Sequence, residues 1–142
     1  MANDDKFFTK VYALDPNSEE FKHLFGIFEQ HSPSLESVGI HRLQNKYSWM
    51  SYEREAKRLK NKLGYWSAEL PLWHGTSATD PAKIIYGGFE VGYARNGACG
   101  HGLYFAQNSR YSMKYAHTDK EGMTSMILSL VLVGKPAKYP PV

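Results

Sequence analysis

The chain has 142 residues, 17 of them basic and 14 acidic, for a formal charge of +3. That length fits one domain spanning 1–142, and with 42% hydrophobic and 14% aromatic residues a packed core is possible and whole-chain disorder is excluded. No apolar run approaches the roughly 20 residues that cross a bilayer, no signal peptide is legible in the acidic opening, and the single Cys99 has no partner for an internal disulfide. The expectation is a soluble intracellular domain, cytoplasmic or nuclear, with no membrane association.

Along the chain, Lys6 to Ala13 is short, aromatic and β-branched, and reads as a strand. Asn17 then offers an N-cap with Glu20 three positions on. Phe21, Leu24, Phe25 and Phe28 follow at helical spacing. This predicts an amphipathic helix ending near His31, because Ser32 precedes Pro33. Val38 to Leu43 reads as a half-buried strand. A second helix is predicted from Ser48 to about Leu63, with Trp49, Tyr52, Ala56, Leu59 and Leu63 as its buried stripe and Gly64 as its stop.

Leu70 to His74 reads as a strand ending at a glycine. Asp80 and Pro81 supply an N-cap and first-turn proline for a short helix that Gly87 and Gly88 terminate. Glu90 to Gly102 reads as a glycine-rich loop, Leu103 to Ala106 as a short strand, and Ser109 to Ala116 as the start of a helix. Ser125 to Val133 is almost continuously apolar, which predicts a central strand covered on both faces. Strands and helices mix without regular alternation, so the expected class is α+β.

Charge is concentrated. Between His41 and Leu63 stand seven Lys/Arg and two Glu, a local +5, while the remainder nets −2. The second helix carries Arg54, Lys57, Arg58, Lys60 and Lys62, a face that is either simply solvated or attracts phosphates. Other site chemistries find no footing. Six histidines and one cysteine at irregular spacing make no metal site, so no metal is expected. The glycines at 97, 100 and 102 lack the βαβ context of a dinucleotide fingerprint, and neither a Walker A lysine nor a GxSxG elbow is present.

One stretch is specific. Leu72 to Thr76 reads Leu-Trp-His-Gly-Thr at a strand end. Gly100 to Ala106 reads Gly-His-Gly-Leu-Tyr-Phe-Ala after the glycine-rich loop. Ser112 and Tyr115 follow Tyr104 by eight and eleven positions. With Ile40 to Asn45, Trp49 and Tyr52 upstream, this ordered set resembles the catalytic domain of the poly(ADP-ribose) polymerase family, and within it the mono-ADP-ribosylating members.

The resemblance implies a split antiparallel sheet with flanking helices. It also implies NAD as ADP-ribose donor, and an acceptor that is a protein or a nucleic acid. His74 matches the signature histidine that bonds a ribose hydroxyl, and Gly75 the glycine whose backbone grips the nicotinamide carboxamide. Thr76 matches a position associated with the adenosine ribose, and Tyr104 the signature tyrosine lining the nicotinamide site. Ser112 matches the serine donating to the carboxamide, and Tyr115 the aromatic that stacks on the ring. These residue types suit that chemistry. An aromatic platform orients a planar ring, and a residue without Cβ lets a backbone donor and acceptor come close to an amide.

The resemblance also implies a third signature residue, a glutamate on a later strand, and its closing strands are not found before Val142. Three readings stay open: a C-terminally truncated fragment, a short form that binds NAD or ADP-ribose with little transfer, or a fold closed by another acid. The family commonly has lysine where His101 stands, and many mono-ADP-ribosylating members replace the glutamate and use the acceptor's own carboxylate.

Overall fold

The computed structural model describes residues 9–32 and 38–138. The first part of the expected opening strand (6–8), Pro33, and the terminal Pro140, Pro141 and Val142 lie outside them. Strand β1 (Lys10–Ala13) leads to helix α1 (Glu19–Glu29), strand β2 (His41–Gln44) and helix α2 (Lys46–Leu63). Strand β3 (Glu69–His74), helix α3 (Pro81–Gly87) and a single 3-10 turn (Val91–Tyr93) follow, then strands β4 (Arg95–Gly97) and β5 (Gly100–Gly102). Helix α4 (Ser109–Met113), the short strands β6 (His117–Thr118) and β7 (Thr124–Ser125), and β8 (Ile127–Leu132) complete the order. The class is mixed α and β. Among the described residues every ladder is antiparallel and two-stranded, pairing β1 with β2, β3 with β8, β4 with β5 and β6 with β7.

Local chemistry sets the helix starts. Ser18, one residue beyond the expected Asn17, caps α1: its hydroxyl accepts from the Phe21 N–H at 3.1 Å, while Glu19 and Glu20 face the positive end of the helix dipole. Asn45 caps α2 through its side-chain oxygen, 3.1 Å from both Tyr47 N and Ser48 N, so that helix begins earlier than expected. Gly64 ends it at φ +81°, a conformation open to glycine. Asp80 and Asn108 cap α3 and α4 in the same way.

The β3–β8 pair is the longest ladder, running from Glu69↔Leu132 to His74↔Ile127. Trp73 also exchanges backbone bonds with Ala106 on the opposite edge, at 2.7 and 2.9 Å. Pro71 has the same parity as Trp73, so its missing N–H falls on that edge, where proline is tolerated. Two expectations fail here. Leu103 to Ala106 is not a strand and contributes only that bridge at Ala106. Nor is β8 central: among the described residues it pairs with β3 alone, and its Leu130 is exposed.

The core is small. Phe28, Trp73 and Ile84 are its buried apolar residues among those described, with Phe28 meeting Trp73 edge-on at 5.6 Å. Ser109, fully buried, donates to the Phe28 carbonyl at 2.8 Å and pairs with the Ser32 hydroxyl at 2.7 Å, tying the end of α1 to the start of α4. Trp49, expected in the buried stripe of α2, is instead 55% exposed, stacked on Tyr52 at 5.6 Å. Tyr52, Ala56, Leu59 and Leu63 are half-buried. Among the described residues no helix is long and apolar enough to cross a membrane.

The Tyr52 hydroxyl is buried and makes no hydrogen bond of good geometry among the described residues. Its burial, and then the neighbouring Glu69 carboxylate, push its pKa up to about 12. Folded, the phenol keeps its proton past the point, near pH 10, where the unfolded chain releases it, so this contribution to stability is intact below about pH 10 and is lost as pH rises toward about 12. Tyr52→Phe is expected to remove that part of the alkaline decline in urea midpoints compared at about pH 9 and about pH 11. The same alkaline decline in both proteins would contradict this assignment.

Candidate functional site

The end of β3, the turn after it, the Gly100–Ala106 stretch and α4 meet at one place. His74 is buried, and its Nδ1 lies 2.6 Å from the Tyr104 carbonyl oxygen. A carbonyl can only accept, so Nδ1 carries the proton; the neutral ring then keeps a lone pair on Nε2. Two phenylalanines hold the imidazole. Phe89 stands edge-on to it at 5.2 Å, Phe105 lies tilted at 5.1 Å, and the two rings meet each other at 5.2 Å.

Gly75 is where α4 comes closest. A Cβ built there would lie 2.5 Å from the Ser112 carbonyl oxygen, 2.7 Å from the Tyr115 carbonyl carbon and 2.9 Å from the Ala116 nitrogen. All three are backbone atoms that cannot swing away. A side chain at 75 would therefore strike α4 rather than enter the space expected for a ligand ring. Among the described residues the Gly75 N–H and C=O find no hydrogen-bond partner, although the residue is only partly exposed.

Ser112 is buried at 4% exposure and its hydroxyl donates to the Trp73 carbonyl at 3.1 Å. Tyr115 follows α4; its carbonyl accepts from Ser77 N at 2.6 Å, which fixes the backbone, and its ring is half in solvent. Thr76 is buried and spends its hydroxyl on the Thr79 carbonyl at 2.6 Å, closing the turn after β3 with the reciprocal Thr79 N–H to Thr76 O bond. So His74, Gly75, Ser112 and Tyr115 are brought together, whereas the Thr76 hydroxyl is turned into its own loop.

Tyr104 has two duties in the geometry. Its backbone carbonyl orients His74, and its phenol fastens the glycine-rich segment, donating to the Gly100 carbonyl and accepting from Cys99 N at 3.2 Å. That segment is a hairpin, β4 on β5, and not the open loop expected, with Arg95↔Gly102 and Gly97↔Gly100 as its ends. A Cβ at Gly97 would lie 2.8 Å from the Tyr104 ring, so a side chain there would push the outer end of the ring from its place against the hairpin. His101 bonds Asn96 across the hairpin at 3.1 Å.

Three ring neighbours were not foreseen from sequence. Phe105 sits inside the quoted motif, and Phe89 follows the helix-ending Gly88. Tyr111 stands one residue before Ser112, its ring 5.7 Å from that of Tyr115. The Tyr115 hydroxyl beside it, with Cys99 and Tyr104 nearby, holds the Tyr111 phenol above its usual range. No hydrogen bond or ion pair among the described residues brings an Asp or Glu to His74, Tyr104, Ser112 or Tyr115. Asp119 is occupied in its own turn, accepting from Glu121 N and Met123 N. A hollow of about 600 Å³ lies elsewhere, on α1 beside Lys22, His23 and Gln30, and lacks converging groups of this kind.

Comparison with known proteins bears on this cluster. Residues 18–139 match the family model of the poly(ADP-ribose) polymerase catalytic domain. A probable poly [ADP-ribose] polymerase of Dictyostelium discoideum is 39% identical over 117 residues, 77% of this chain and 34% of that protein. The human protein mono-ADP-ribosyltransferase PARP14 is 32% identical over 87% of this chain and 7% of its own length. Human PARP12, likewise named a mono-ADP-ribosyltransferase, is 31% identical over 92% of this chain and 19% of its own length. The chain thus spans about a third or less of these relatives.

Gly75→Ala is expected to destabilise the protein by at least about 2 kcal/mol, in the upper part of the range for forced overpacking, with Gly87→Ala, whose Cβ meets nothing within 4 Å, as the control. Urea denaturation reads both. Equal midpoints for the two variants would refute the close approach of α4.

Proposed function

Because the chain belongs to the poly(ADP-ribose) polymerase catalytic-domain family, we propose that it binds NAD at the His74–Tyr115 cluster and transfers a single ADP-ribose to an acceptor, a protein or a nucleic acid. The observation that carries this reading is the unpaired backbone N–H and C=O of Gly75, next to the backbone of the segment that bears Ser112 and the half-exposed Tyr115. A carboxamide needs one acceptor for its NH2 and one donor for its oxygen, and an aromatic ring needs a flat face. On this reading Ser112 turns from the Trp73 carbonyl toward the carboxamide. Trp73 O stays satisfied by the Ala106 N–H at 2.9 Å.

His74 then takes a ribose hydroxyl on Nε2, the nitrogen its bond to Tyr104 leaves free. Phe89 and Phe105 keep water from the ring. Thr76 contributes to the adenosine side through the turn it closes. Tyr104 lines the nicotinamide site and holds the β4–β5 hairpin over bound NAD. The bond from the ribose C1′ to the nicotinamide nitrogen breaks with the electron pair leaving on nicotinamide. Positive charge builds on the sugar, as in glycoside hydrolysis. The acceptor oxygen bonds C1′; a carboxylate acceptor carries no proton to lose, whereas a hydroxyl acceptor releases its proton to solvent.

With no carboxylate among the described site residues, the acceptor supplies the negative charge, a side-chain carboxylate in a protein or a phosphate in a nucleic acid, which favours one transfer over chain extension. The names of PARP14 and PARP12 support the mono-transferase reading. We further propose that the four ladders are parts of the family's split sheet, and that 1–142 acts as a single domain in the cell interior.

Labelled NAD incubated with the protein is expected to release nicotinamide and add one ADP-ribose mass per modified site. Tyr115→Ala should weaken a nicotinamide analogue by about 1–3 kcal/mol in calorimetric titration, the scale of ring stacking. Binding without nicotinamide release would identify a binding module in place of an enzyme. Unchanged affinity of the variant would remove Tyr115 from the site.

A further inference from the structure

Helix α2 presents a face that the NAD cluster does not use. Its 18 residues include none that is buried, and its half-buried residues, Tyr52, Ala56, Leu59 and Leu63, form one stripe turned inward. At 3.6 residues per turn the row opposite that stripe runs Lys46, Met50, Arg54, Lys57 and Asn61, flanked by Tyr47, Arg58 and Lys62. All of these are exposed. Arg58 is paired, with Glu55 at 2.6 Å, but Lys46, Arg54, Lys57, Lys60 and Lys62 make no ion pair among the described residues.

Aromatic rings stand at both ends of this cationic row. Tyr47, exposed, lies near the N-terminus, on the side of the helix away from Trp49, which stacks on Tyr52. Past the C-terminal Gly64 come Tyr65 and Trp66, at 54% and 59% exposure, with Lys60 Nζ 4.4 Å above the Trp66 ring. Cations spaced along about 27 Å of helix match a phosphate backbone. Exposed rings beside them offer stacking to unpaired bases, which a duplex does not present. A membrane fits less well, because the apolar stripe of α2 faces the protein and leaves only Tyr47 and Met50 among the outward charges.

We propose that the outer face of α2 binds single-stranded nucleic acid, with Lys46, Arg54, Lys57 and Lys62 on phosphates and Trp66 stacking on a base. This site is independent of the NAD reading, and its test uses no NAD.

The probe is a fluorescein-labelled oligo-uridine of about twelve nucleotides, titrated by anisotropy into the whole chain. Four phosphate contacts predict a slope of log affinity on log salt near −2.8, a roughly fifty-fold loss between about 50 and 200 mM salt. The exposed triple variant Arg54→Gln, Lys57→Gln, Lys62→Gln retains good helix formers. It should reduce the slope by about 2 and weaken binding at least tenfold at low salt. Trp66→Leu should weaken binding about fivefold or more with the slope kept. Lys83→Gln, Lys120→Gln, Lys135→Gln together, exposed positions elsewhere, should change binding little beyond a small general charge effect. Absent or salt-insensitive binding overturns the proposal, as does a slope the α2 triple leaves intact. Tighter binding to vesicles of anionic phospholipid than to the oligo-uridine overturns it in favour of a membrane surface.

Discussion

The backbone of α4 can lie against the end of β3 because residue 75 has no side chain. Atoms of Ser112, Tyr115 and Ala116 occupy the volume where a Cβ would stand, at 2.5 to 2.9 Å. Several bonds depend on that approach. Ser112 reaches the Trp73 carbonyl, Ser77 N reaches the Tyr115 carbonyl, and Trp73 keeps its exchange with Ala106. Ser109 anchors the far side of α4 to α1 through the Phe28 carbonyl.

The cluster is rich in rings and poor in charge. The His74 imidazole is oriented by a neutral carbonyl and walled by Phe89 and Phe105. Tyr104, Tyr111 and Tyr115 supply phenols, with no carboxylate bonded to them among the described residues. On the proposed reading this site orients a flat amide and receives a sugar hydroxyl. It has little of its own to stabilise a cationic sugar, because preorganised negative charge is the strongest means of doing so.

Much of the fold was legible where one residue type dominates local energetics. Asp80–Pro81 marked α3, Gly64 stopped α2, and the phenylalanine spacing marked α1. Tertiary effects were not legible. Arg95–Gly97 has little strand propensity, so the hairpin was read as a loop; it is organised by the Tyr104 ring beneath Gly97 and the phenol's bonds to Cys99 and Gly100. The apolar run at β8 implied two covered faces, but hydropathy does not say which neighbours are present. Trp49 has the helical spacing of a core residue, yet it stands exposed, its ring stacked on Tyr52. At the site, motif spacing singled out the histidine, glycine, serine and tyrosines. Phe89 and Tyr111 were hidden because each sits outside the spaced positions and joins through packing.

A crystal of the protein with bound benzamide, which keeps the ring and carboxamide of nicotinamide, tests the central claim most directly. The account predicts the carboxamide on Gly75 N–H and C=O, the ring against Tyr115, and the Ser112 hydroxyl turned away from Trp73. A ligand seated elsewhere, with Ser112 still bonded to the Trp73 carbonyl, would contradict it.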